Sequence, residues 1–168
     1  MKWLGLLLLG LVLQMLDGVL CRSFHLQWMH PDPLLFFDVY LGLQCPALPG
    51  GLLVLALGFT ADSFAGTPRA MMVVNHLFLW MLIRWARHFL APGQRGVQLG
   101  TLLAASLLYS LLIIMELGLM EVGSGPILVN LKAMFPLAGL HVLLAGLIWK
   151  MISGIYPPSA EAEDEYVR

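Results

Sequence analysis

Long runs of apolar residues dominate this chain and constrain its fold more than any other feature. A helix needs about 20 mostly apolar residues to cross the hydrocarbon core of a bilayer. Only 11% of the 168 residues are charged, and the mean hydropathy is +0.85. Soluble domains carry about 25% charged residues. The sequence therefore predicts an integral membrane protein.

Breaks containing proline and glycine divide the apolar runs into six predicted helices, and the second is short for a full span. The predicted fold class is an all-α transmembrane bundle of six helices. Residues 1–156 form the membrane domain, and residues 157–168 form an acidic, disordered cytoplasmic tail. We expect an uncleaved first helix, because no small-residue cleavage site follows it. The predicted helices are Trp3–Leu20, Leu34–Gln44, Leu52–Ala65, Ala70–Leu90, Val97–Met120 and Ile127–Ile152.

Basic residues near the helix ends predict the orientation in the membrane. With six spans, five of these residues lie on the side of the termini and three on the other side. This excess predicts that both termini are cytoplasmic. Near the end of the fourth helix, Arg84, Arg87 and His88 are expected to contact anionic headgroups or a cytoplasmic partner. The two sets are Lys2, Arg84, Arg87, Arg95 and Lys150, against Arg22, Arg69 and Lys132.

Asp62 is a carboxylate inside the third apolar run. A charge at the centre of a membrane helix costs about 2.5–3.5 kcal/mol on insertion scales, so such a residue is a functional candidate by default. Gly58 and Gly66 lie four residues to either side, so a helix places all three on one face. Small residues let another helix approach closely there. The Pro68-Arg69 turn that follows is predicted to shape the hairpin.

The other intramembrane polar residues are predicted to gather in the outer half of the bundle, with His141 deeper. Lys132, Arg69 and the Asn75-His76 pair are alternative partners for Asp62, and the sequence does not choose among them. For Asp17, Asp38 and Glu116 the favoured interpretation is an interfacial position in contact with headgroups and water. The expected group comprises Asp17, Asp38, Asp62, Asn75, His76, Glu116 and Lys132.

No pattern for catalysis, a cofactor or a metal is present. The sequence contains neither a phosphate-binding glycine loop nor a recognised catalytic set. His25 and His30 flank Trp28 without further ligands at a suitable spacing, so no metal site is predicted. Cys21 and Cys45 are interpreted as small apolar residues. With a formal net charge of −1 and no basic patch, nucleic-acid binding is not expected.

Residues 30–90 resemble the bacterial rod shape-determining protein family MreD. The resemblance rests on His30–Phe37, a proline-started segment with the sequence HPDPLLFF, and on Tyr40 in the short helix after it. It also rests on Gly58–Pro68, where glycine, three residues, aspartate and a small turn precede a long helix with Asn75.

The resemblance implies a non-enzymatic subunit of the cell-elongation machinery in the bacterial inner membrane. Its implied partners are an MreC-like bitopic scaffold, an MreB-like filament, and a SEDS and penicillin-binding synthase pair for peptidoglycan. It also implies a fold similar to the substrate-binding subunits of energy-coupling-factor transporters. A vitamin-binding transporter subunit is therefore the alternative function. Assembly as a homodimer stays open.

Overall fold

The computed structural model describes residues 2–23, 31–65, 71–91, 93–120 and 124–157. Within these ranges the regular structure is helical, and a 3-10 helix at Arg87–Phe89 follows the fourth α-helix. The α-helices are α1 (Lys2–Ser23), α2 (Leu34–Gln44), α3 (Ala47–Ala65), α4 (Met71–Ala86), α5 (Arg95–Leu119) and α6 (Ser124–Ile155).

Four of the described helices are long and apolar enough to cross a membrane, which confirms a helical membrane protein. These segments are Lys2–Leu20, Ala47–Phe64, Arg95–Leu119 and Gly125–Ile155. The helices α2 and α4 are shorter, at 11 and 16 residues. Large apolar side chains remain exposed on the outside of the bundle, among them Leu119 at 81% and Leu143 at 80%. In a bilayer such side chains contact lipid.

The short helix α2 lies at the centre of the bundle. All 11 of its residues are buried, and it contacts each of the other five α-helices. A helix that is apolar on every side is stable only when it is covered on every side. At about 16 Å it reaches roughly half of the hydrocarbon thickness of about 30 Å. The second helix is therefore a buried core element.

The helix α3 begins at Ala47, earlier than the predicted start at Leu52. The prediction treated Pro49, Gly50 and Gly51 as part of a break. Pro49 is tolerated because an amide in the first helical turn has no intrahelical acceptor. A Cβ atom at Gly51 would lie 3.0 Å from the Trp80 ring of α4, so the glycine permits a close contact between these helices.

Candidate functional site

A buried histidine of α4 is held between two aspartates that flank the start of α2. His76 Nδ1 lies 2.6 Å from Asp38 Oδ2, and His76 Nε2 lies 3.1 Å from Asp32 Oδ2. The side chains of His76 and Asp38 are 0% and 1% exposed, whereas that of Asp32 is 18% exposed. We call these three residues the Asp–His–Asp cluster.

The start of α2 positions both aspartates. Asp32 precedes the helix, and its Oδ1 accepts a hydrogen bond of 2.9 Å from the Leu34 amide. This bond satisfies one of the helix's unpaired amides. Asp38 lies one to two turns further along α2, which packs closely against α4. His76 is therefore clamped by two carboxylates from a single short segment.

The two contacts to His76 determine the charge of the Asp–His–Asp cluster. If His76 is an imidazolium, both ring nitrogens donate and both carboxylates are ionised. If it is neutral, one nitrogen donates and the other accepts from a protonated carboxyl. In the first arrangement the imidazolium carries +1 and each carboxylate carries −1. In the second, the imidazole and the carboxylic acid are neutral and the other carboxylate carries −1. Both arrangements therefore have a net charge of −1.

Asp32 is the carboxylate of this cluster whose surroundings most favour the ionised form. Burial opposes its ionisation, but the facing charge of His76 and hydrogen bonds from His76 and the Leu34 amide outweigh that effect. The pKa of Asp32 is therefore held below its ordinary range. A carboxylate that favours its ionised form is well suited to hold a cationic or proton-donating partner such as His76.

Helix α5 closes the cluster from another side. The rings of Tyr109 and His76 lie 5.0 Å apart between centroids, and the Tyr109 hydroxyl donates to Met72 Sδ at 3.0 Å. Next to His76, Asn75 Nδ2 donates to Glu116 Oε2 of α5 at 3.0 Å. Consecutive residues of α4 thus connect that helix to α2 and to α5.

Asp62 hydrogen-bonds to the backbone at the start of α4. Its Oδ1 and Oδ2 accept hydrogen bonds of 2.9 and 3.3 Å from the Met72 and Val73 amides at the start of α4. Gly58, one turn earlier, faces the same place: a Cβ atom there would lie 3.0 Å from the Val73 Cα atom. Both residues therefore join the end of α3 to the beginning of α4.

Of the three alternative partners for Asp62, the Asn75-His76 pair is not in contact with it. Both ring nitrogens of His76 contact other carboxylates, and the Asn75 amide donates to Glu116. The alternative partner Lys132 lies exposed on α6. The remaining predicted residues, Gly66, Pro68 and Arg69, lie outside the described residues.

The interfacial interpretation of Asp38 is also wrong, because its side chain is buried against His76. Asp32 belongs to the proline-started segment His30–Phe37, and the sequence did not predict it as a site residue. A signal was present, since an Asp-Pro start before an apolar helix is typical of an N-terminal cap. Nothing in the sequence indicated that the same carboxylate would also contact α4.

A second buried polar pair joins α5 and α6 and was not predicted. Ser106 Oγ lies 2.7 Å from His141 Nδ1, and both residues are 0% exposed. The His141 ring packs edge-on to Phe36 of α2, 5.5 Å away. Within the described ranges, His141 Nε2 has no hydrogen-bond partner. The pair therefore connects α5 to α6 inside the bundle.

The arginines at the opposite end of α4 do not lie free at the surface. Arg84 and Arg87 donate to the Cys45 carbonyl at 2.7 and 3.4 Å, and Arg87 is 3% exposed. The expected headgroup contact is therefore wrong for Arg87, which ties α4 to the junction of α2 and α3. Beside this junction, the Tyr40 hydroxyl of α2 donates to the Tyr156 carbonyl at 2.6 Å.

The surface groove between α5 and α6 is apolar. It measures about 530 Å³ and is lined by Leu103, Pro136, Gly139, Leu140, Val142 and Leu143. The Asp–His–Asp cluster does not line this groove.

Comparisons with protein-family models, curated proteins and solved structures found no match to this chain.

Proposed function

We propose that this chain is a non-enzymatic inner-membrane subunit of the bacterial cell-elongation complex, similar to MreD. In this proposal it crosses the membrane six times with both termini in the cytoplasm. It binds an MreC-like bitopic scaffold and links it to an MreB-like filament and to the peptidoglycan synthase pair. The sequence of residues 30–90 is the origin of the proposal.

The observation that supports the proposal is that polar residues of the segment 30–90 form contacts between the helices of the bundle. Asp32 caps α2 and holds His76, while Asp62 and Gly58 join α3 to α4. Asn75 connects α4 to α5. These side chains bind parts of the bundle to one another. Contacts of this kind support a protein whose role is to hold a fixed membrane surface to which partner proteins bind.

Affinity purification from gently solubilised native membranes, followed by mass spectrometry, tests the proposal. Recovery of a bitopic scaffold together with peptidoglycan synthases is the expected result. The Asp62→Asn variant should yield less complex per folded protein, and Ser63→Ala should not. Ser63 is the matched control because it is exposed and its hydroxyl donates to the Phe59 carbonyl of its own helix.

Recovery of ATPase subunits, or of a bound small metabolite, would instead support the transporter function and overturn the proposal. A transporter subunit would also gain thermal stability on addition of its ligand by mass action. An elongation subunit would not respond to vitamins in that measurement.

A further inference from the structure

The charge of the Asp–His–Asp cluster is not balanced by a basic residue in the described part of the chain. The ion pairs of Asp32 and Asp38 there are with His76. Both proton arrangements leave one negative charge on the cluster, in which the side chains of His76 and Asp38 are fully enclosed. An unbalanced charge in a low-dielectric interior is costly, and neutralisation is the usual response.

The titratable groups that the structure describes around the cluster do not supply the missing positive charge. Tyr109 of α5 stacks on His76, Glu116 of α5 binds the adjacent Asn75, and Asp62 of α3 binds the first turn of α4. His141 of α6 lies within electrostatic reach of Asp32 and of Asp17 on α1. Three of these five groups are carboxylic acids. The basic Arg84 lies eight residues along α4 from His76, about 12 Å away along the helix axis.

We propose that the Asp–His–Asp cluster is a proton-binding site, which takes up one proton beyond the two that its hydrogen bonds require. The proton comes from water and adds to a carboxylate oxygen of Asp38, so the net charge of the cluster changes from −1 to 0. His76 then donates through both nitrogens, to the Asp32 carboxylate and to the carbonyl oxygen of the Asp38 carboxylic acid. No hydrogen bond of the cluster is lost in this step.

Asp38 is the acceptor because the two carboxylates are in different environments. Asp32 is partly exposed and binds the Leu34 amide, which favours its ionised form. Asp38 is enclosed and contacts only the imidazole through its Oδ2 in the described residues. Asp32, as the exposed member, is the point of entry from water. The proton site does not depend on any partner protein.

The test is infrared difference spectroscopy of the full chain in lipid nanodiscs, with the aspartate carboxyl carbons labelled with 13C. Lowering the pH from about 8 to about 5 should produce a carboxylic-acid band shifted by the label, since this window lies above the ordinary titration of exposed aspartates. The band should disappear in Asp38→Asn and persist in Asp62→Asn. Aspartate labelling excludes Glu116 from the signal.

The outcomes are decisive even if the cluster variants do not fold. The double variant Asp17→Asn, Asp62→Asn leaves the cluster intact, so the band must survive in it. Absence of the band from the wild type, loss in this double variant, or persistence in Asp38→Asn would overturn the proposal. Loss in a folded Asp38→Asn variant supports it, and if that variant does not fold, survival of the band in the double variant supports it.

Discussion

Asp62 on α3 caps the neighbouring helix α4, with its carboxylate 2.9 Å from the Met72 amide nitrogen and 3.3 Å from that of Val73. The first amides of a helix have no intrahelical acceptor, and a carboxylate there also interacts favourably with the helix dipole. The connection between α3 and α4 therefore depends on a side chain located ten residues before the amide that it binds. A carboxylate inside an apolar helix is explained by this contact without catalysis.

Replacing Asp62 with alanine should destabilise the folded protein by about 1 kcal/mol, the usual value of a helix cap. Asp62→Asn should cost less, because its amide oxygen can still accept one of the two bonds. Thermal unfolding in mild detergent measures both variants against Ser63→Ala. Equal stability of Asp62→Ala and Ser63→Ala would show that the capping contact is unimportant.

Gly58→Ala should destabilise the contact between α3 and α4. The added methyl group would lie 3.0 Å from the Val73 Cα, a backbone atom that cannot move alone, and overpacking typically costs about 1–3 kcal/mol. Gly139→Ala on α6 is the matched control, because nothing lies within 4 Å of its added Cβ. That control should be neutral or more stable, since alanine favours helix more than glycine does. The prediction fails if both substitutions have the same effect.

His76→Ala should be strongly destabilising, by about 3–5 kcal/mol, because it leaves buried carboxylates without their partner. Replacing His76 and Asp38 together with apolar residues should recover part of this loss. Yield and unfolding temperature of the single and double variants measure the coupling. His88→Ala, at an exposed position, is the control. A double variant less stable than His76→Ala would contradict the expectation.

Ser106→Ala should cost about 1 kcal/mol through the loss of its hydrogen bond to His141. Ser153→Ala on α6 should change stability little, because that half-buried serine donates only to the Lys150 carbonyl of its own helix in the described contacts. Chemical denaturation of the two variants side by side compares a bond between helices with one inside a helix. Equal stability of Ser106→Ala and Ser153→Ala would show that the hydrogen bond between the helices is unimportant.

Much of the fold could be predicted because it depends on local properties of the sequence. The apolar runs and the proline and glycine breaks located the helices, and the short second helix was recognised from its length. The start of α3 was placed too late, since Pro49 and the glycines after it are compatible with a first helical turn as well as with a break. Gly58 was identified as facing another helix because its spacing to Asp62 is local.

The partners of the polar residues could not be predicted in the same way. The sequence by itself determined a helical membrane protein, the approximate extents of its helices and the presence of acids, histidines and amides within them. Only the tertiary structure decided that His76 lies between Asp32 and Asp38, and that Asp62 binds backbone amides. Each residue turns a helix by about 100°, so a small error in the depth or rotation of α2 exchanges one partner for another. The burial of α2 among the other five α-helices determines that depth and rotation, and this burial is a property of the assembled bundle.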